Sequence, residues 1–256
     1  MAAPQPQPPE WLETDARSVD FFARARLHRL VDEADLGLVY TRGHRWMDRW
    51  ITRDGPLWPE GQAFVAITFH YGAGLWSFAD IARAGVRPAF VHASALLSPW
   101  SEWRVDEWLT WLRLSAIERL GKGRNLLVGG SAKAAEHWLV RGNPVVGLVD
   151  APHYGRRRTF EVPVKRRSIH FASGLVELAV RCEVPVYLYT LALEAGTPRR
   201  RLRVAGPFEP RCADDMSEPV GRFLSRALDD DPAAWEYCCL PMDEAFRSQD
   251  KDDLRC

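Results

Sequence analysis

Short apolar, β-rich runs recur along this chain, each followed by a stretch with helical spacing, and that alternation restricts the fold more than any other feature. The runs are Ala63–Phe69, Arg87–Ala93, Asn125–Val128, Pro144–Val149 and Val184–Leu193. Between them lie helical patterns over Leu75–Ala84, Asp106–Leu120 (ended by Gly121), Ser131 to about Arg141, and Ser168–Arg181. Ser131 and Ser168 are placed to cap the last two. Continuous apolar runs mark strands buried on both faces. Strands alternating with helices predict an α/β protein: a single domain with a mostly parallel β-sheet flanked by helices. Around this frame the pattern predicts a helix from Asp15 to about Glu33, a shorter one over 43–52, and a strand over Thr159–Val164. Val184–Leu193 is expected as the longest strand, followed by a turn at Ala195–Pro198, a returning strand Arg201–Ala205 and a last helix Asp214–Leu228. The domain is expected to span 15–245, with a disordered Pro/Gln-rich lead-in over 1–14 and a polar tail over 246–256.

Charge and cysteine content exclude several function classes. Lys plus Arg equals Asp plus Glu at 34 each, so no global field draws the chain to nucleic acid, and any electrostatic attraction must be local. The five cysteines are odd in number and form no CxxC pair, which argues against a disulfide framework or a zinc site. The histidines other than His70 share no metal spacing. The expectation is therefore no metal site. The opening MAAPQPQPPEW has no basic and apolar leader pattern. No run reaches the ~18 to 20 apolar residues of a spanning helix. A cytoplasmic protein, or one resting on the cytoplasmic face of a membrane, is expected. Gly-Gly-Ser131-Ala is not a nucleophile elbow, so serine hydrolase chemistry has little support.

Two chemistry-bearing residues stand where a strand ends, the edge at which α/β proteins gather ligands. His70 follows Ala63–Phe69 and precedes Gly72 and Gly74, which allow close approach to the backbone. Its imidazole can take a proton from a hydroxyl near pH 7, or it can be a loop histidine with satisfied bonds. Asp150 follows Pro144–Val149 and is either a site carboxylate or a turn residue. Arg156, Arg157 and Arg158 and then Lys165, Arg166 and Arg167 flank the Thr159–Val164 strand. They suit phosphate groups, or simply keep an edge strand solvated. Trp100, Trp103, Trp108 and Trp111 share part of one helical face. Core packing is the first expectation for them; a membrane interface or an acyl groove is the alternative.

The block Phe64-Val-Ala-Ile-Thr-Phe-His70-Tyr-Gly-Ala-Gly-Leu-Trp76 resembles the catalytic block of bacterial lipid A biosynthesis acyltransferases, within the wider lysophospholipid acyltransferase superfamily. Three further segments are similar in the same order: Val145–Asp150, Phe160 to Tyr187, and the C-terminal Asp231-Pro-Ala-Ala-Trp235-Glu-Tyr237. The resemblance implies an O-acyltransferase in lipid biosynthesis, with no metal and no tightly bound cofactor. It would move an acyl chain from an acyl carrier protein or acyl-CoA thioester to a hydroxyl of a lipid or glycolipid acceptor. His70 would be the base and a carboxylate would orient its ring. That family places the acid five residues after the histidine, and here the position is Leu75. Asp150 is the first candidate to replace it. Asp80 is poorly directed, about 140° around the helix from Leu75 at 100° per residue. The alternative is a catalytically weakened homologue that binds lipid or an acyl carrier. A thioesterase-like hydrolase, with water as acceptor, is a third possibility. If no other acid serves His70, Leu75→Glu is expected to raise activity.

Overall fold

The apolar runs lie side by side in the computed structural model, which describes residues 18–92, 104–128, 130–150 and 158–239. In chain order the elements are α1 (Ser18–Thr41), α2 (His44–Asp48), β1 (Ile51–Asp54) and β2 (Val65–Thr68). A 3₁₀ turn over Gly74–Trp76 leads into α3 (Ser77–Ala82), then β3 (Ala89–His92), α4 (Arg104–Gly121), β4 (Arg124–Leu127), α5 (Ala132–Val140) and β5 (Val145–Leu148). The chain continues through β6 (Thr159–Val164), β7 (Arg167–Ala172), α6 (Gly174–Arg181), β8 (Val186–Leu193), β9 (Arg200–Phe208) and α7 (Ser217–Asp230). Two 3₁₀ turns, Pro232–Ala234 and Glu236–Cys239, follow α7.

Seven strands make one sheet in the order β1-β9-β8-β2-β5-β3-β4, and β6 with β7 forms a separate antiparallel hairpin. β8, β2, β5, β3 and β4 are parallel; β9 runs against β8, and β1 runs parallel to β9. The sheet is therefore mostly parallel, the α/β architecture expected from the alternation. Successive side chains of a strand face opposite ways, and the core divides accordingly. Val65, Ile67 and Val145 pack with Val176 of α6, Leu224 of α7 and the hairpin's Phe160 and Phe171. Ala66, Val146 and Tyr189 pack on the other face with Phe78 of α3, Ile117 of α4 and Leu36 of α1. No described helix is long and apolar enough to cross a membrane.

Four local expectations are corrected. Ser168–Arg181 is not one helix: its first part is β7, because Ile169 and Phe171 alternate inward and pair with Val162 and Phe160 of β6. A period of two in Ser-Ile-His-Phe-Ala runs straight into the helical period of α6. The 43–52 helix stops at Asp48, and Ile51 begins an edge strand on β9. Ser131 has φ −81° and ψ −7°, already helical, and its side chain makes no cap bond. The longest strand is the nine-residue β9, one residue longer than β8.

A buried ion pair fastens α1 to the start of β9. Arg200 donates from Nε (3.1 Å) and Nη2 (2.5 Å) to the two oxygens of Asp35, and its guanidinium lies 4.8 Å over the Trp76 ring. Removing one member of such a pair leaves an uncompensated buried charge. Asp35→Ala is expected to cost about 3–5 kcal/mol in urea unfolding, and an unchanged midpoint would refute the role of this pair.

Candidate active site

The register of β2 with β5 determines which residues meet beyond the strand ends. Val65 pairs with Val145 and Thr68 with Leu148. Carried two residues further, the same offset sets His70 against Asp150, |i−j| = 80. The contact is made: His70 Nδ1 lies 2.8 Å from Asp150 Oδ1, and the His70 backbone N–H donates to Asp150 Oδ2 at 2.8 Å. Against an ionised carboxylate, Nδ1 must carry the proton, which leaves the lone pair on Nε2. Nε2 has no hydrogen-bond partner among the described residues, and the ring is 28% exposed on the wall of a cleft. Asp150 itself is fully buried. A third donor, Trp235 Nε1, reaches Asp150 Oδ2 at 2.8 Å.

Burial alone would push the His70 imidazolium down. The charge and hydrogen bond of Asp150, helped by Glu236 and opposed by Arg113, raise it above the ordinary value of 6.5. A base of this kind works in its neutral form, so activity that depends on it rises as pH climbs through the raised value.

The turn after His70 is held on both sides. Gly72 has φ +66°, and a Cβ there would stand 2.5 Å from the Leu191 carbonyl oxygen, so glycine is required. Its N–H donates to Ala234 O (2.7 Å), and the Glu236 N–H donates to His70 O (2.8 Å). Tyr71 donates through its hydroxyl to Ala227 O at 2.6 Å. Gly74 borders the cleft with open space where a Cβ would be.

The cleft beside His70 measures about 1550 Å³, above the roughly 300–1,000 Å³ of a drug-sized site. Leu75, Phe78, Phe90, Leu109, Ile117 and Leu148 form an apolar wall. Arg113, on the same face of α4 between Leu109 and Ile117, also borders the cleft with Arg29 and Asp32 of α1, and it pairs with Asp32 at 2.6 Å. Such a space accepts a long apolar chain and brings its polar end to an imidazole.

The other sequence candidates separate clearly. Leu75 is buried in apolar packing, and the carboxylate that contacts the His70 ring comes from the end of β5. Asp80 is engaged elsewhere, accepting from Arg53, Arg83 and Trp58 Nε1 (2.7 Å). Arg158 borders the cleft with its side chain 86% exposed, 3.7 Å from Glu177. Lys165, Arg166 and Arg167 do not join it. They sit at the opposite end of the hairpin, on the order of 20 Å away along six-residue strands, where Lys165 pairs with Asp229. Arg156 and Arg157 lie outside the described residues, as do Trp100 and Trp103. Trp108 and Trp111 are 57% and 62% exposed, so core packing is not their role. Trp235 and Tyr237, whose ring centroid is 4.9 Å from that of His70, were not singled out as site residues. Their signal was present in the C-terminal Pro-x-x-Trp-x-aromatic segment.

No family model matches the chain, and no curated protein matches it. Among solved structures, the 1-acyl-sn-glycerophosphate (LPA) acyltransferase PlsC from Thermotoga maritima is similar over 82% of this chain and 85% of its own. The identity is 13% and the TM-score 0.39. Likeness at that level assigns neither chemistry nor substrate to this chain.

Two outcomes follow from the geometry. Asp150→Asn removes the charge that raises His70, so the imidazole titration followed by NMR is expected to fall; an inflection that stays in place would refute the pairing. Leu75→Glu puts a carboxylate into apolar packing while the acid is already in place. It is expected to lose about 3 kcal/mol of stability without gaining turnover, and a stable variant with faster turnover would contradict this.

Proposed function

We propose that the protein is an O-acyltransferase that moves an acyl chain from a thioester donor, acyl carrier protein or acyl-CoA, to a hydroxyl of a lipid or glycolipid. One observation carries this reading: the His70–Asp150 pair, with Nε2 unpartnered among the described residues, borders a large cleft with an apolar wall. His70 Nε2 takes the proton of the acceptor hydroxyl as its oxygen attacks the thioester carbonyl carbon. A C–O bond forms, the tetrahedral intermediate collapses, and the C–S bond breaks. The imidazolium returns the proton to the departing thiolate. Asp150 keeps the imidazole in the working tautomer and stabilises its charged form, the part an acid plays beside a catalytic histidine. No covalent enzyme intermediate is needed.

The apolar wall suits the acyl chain, and Arg158 with Arg29 and Arg113 are candidate contacts for phosphate on donor or acceptor. Arg156 and Arg157 are proposed to extend that set. The exposed Trp108 and Trp111 fit an interfacial role at a membrane surface on the cytoplasmic side. Among the candidate basic residues, the Lys165–Arg167 turn is left out of the proposed site by its distance from His70.

Incubation with a labelled acyl thioester and a lipid extract tests the reaction. Label in lipid is expected; label in free fatty acid would make the protein a hydrolase, and tight binding without turnover would make it a binding protein. In the same assay folded His70→Ala is expected to lose at least about 10²-fold in rate, and equal turnover in variant and parent would dismiss the base.

A further inference from the structure

We propose that Trp235 is a positioning residue for the His70–Asp150 pair, its indole N–H holding Asp150 Oδ2 so that Oδ1 faces the imidazole. The inference rests on His70 acting as base and Asp150 as its orienting acid. A carboxylate can turn about its last torsion and swing its oxygens out of line with the imidazole. Here Oδ2 accepts from Trp235 Nε1 and from the His70 backbone N–H, both at 2.8 Å. Oδ1 is left to the ring Nδ1 at 2.8 Å. Asp150 is fully buried, so water does not stand in for a lost donor.

Trp235 is itself held. Its ring is fully buried, and it pairs as an isolated bridge with Tyr71, the residue after the base. Asp231 caps the turn before it, accepting from the Ala233 N–H at 3.2 Å. Arg24 and His28 of α1 hold Asp231 in turn, at 2.6 and 2.8 Å from its Oδ2. The segment after α7 thus clasps the His70 loop from both sides through Ala234 O and the Glu236 N–H. A chain of contacts runs from α1 through Asp231 and Trp235 to the carboxylate that orients the base.

Electrostatics sets the sign of the expected effect. The charged groups acting on His70 are Asp150 from the end of β5, Glu236 from the last turn and Arg113 from α4, with Asp32 of α1 paired to Arg113. The indole N–H points the positive end of its dipole at Asp150 and offsets part of the carboxylate field at the imidazolium. Without it the imidazole holds its proton more tightly, and the His70 backbone N–H alone holds Oδ2.

The test uses the full chain as wild type, Trp235→Phe and Val220→Ala. Val220 is buried in the same apolar cluster as Trp235 but does not touch Asp150 by any hydrogen bond, so its variant controls for lost packing. Trp235→Phe is expected to raise the His70 titration and to lower turnover on the order of tenfold at unchanged KM. Val220→Ala is expected to lower the melting temperature and leave the titration in place. An unmoved titration in folded Trp235→Phe, or an equal move in Val220→Ala, would overturn the inference. If Trp235→Phe does not fold, the wild-type Trp235 indole N–H resonance decides. It is expected to shift with pH at the His70 inflection and to lose that shift in His70→Ala; a resonance blind to pH overturns the proposal. A wild type that transfers no acyl group but shows the coupled resonance would end the catalytic reading and leave the Trp235 contact standing.

Discussion

The register of two neighbouring parallel strands places the chemistry. β2 and β5 pair with a constant offset, and both run out at the same edge of the sheet. His70 and Asp150 are thereby set opposite one another, each two residues past the end of its strand. Shifting that register by one residue would turn every side chain of the strand to the other face and separate the pair. The apolar side chains that fix the register are Val65, Ile67 and Val145 on one face and Ala66 and Val146 on the other, all fully buried. Core packing and site geometry are therefore one constraint. The same side chains that hold the sheet together hold the imidazole against its acid.

That arrangement explains how a leucine can stand where a resembling family carries its acid. An acid one helical turn after His70 and an acid from the neighbouring strand can do the same work, provided each reaches the ring nitrogen. With Asp150 in place, position 75 is released from polar duty and joins the apolar wall of the cleft. In the proposed reading the departure at Leu75 is a difference in which strand end supplies the carboxylate. The C-terminal segment completes the site, since Trp235, Glu236 and Ala234 each bond to the His70–Gly72 loop or to Asp150.

Much of the frame was legible because buried parallel strands leave a strong mark. Runs such as Ala63–Phe69 and Pro144–Val149 are apolar on both faces and are bounded by glycine, proline or a polar residue. His70 and Asp150 could be found because each directly follows such a run. The register between the runs could not be read, since pairing is set by packing in three dimensions. Ser168–Ala172 reads as helix in the sequence because five alternating residues are too few to separate from the helical pattern they join. Lys165–Arg167 looked like part of a phosphate site because nearness along the chain hid the length of the β6–β7 hairpin. Trp108 and Trp111 have the composition of core residues and the exposure of surface ones, which only the packing of α4 reveals. Trp235 is 85 residues from Asp150, and no local pattern carries that distance.

The central claim is that Asp150 fixes the neutral His70 ring with its proton on Nδ1 and its lone pair on Nε2, toward the cleft. Nitrogen-15 NMR of the imidazole reads that directly. The account predicts a neutral form above the His70 inflection in which Nδ1 shows the protonated shift and Nε2 the bare one, with this preference lost in Asp150→Asn. A neutral ring protonated on Nε2, or a tautomer ratio indifferent to Asp150, would contradict it.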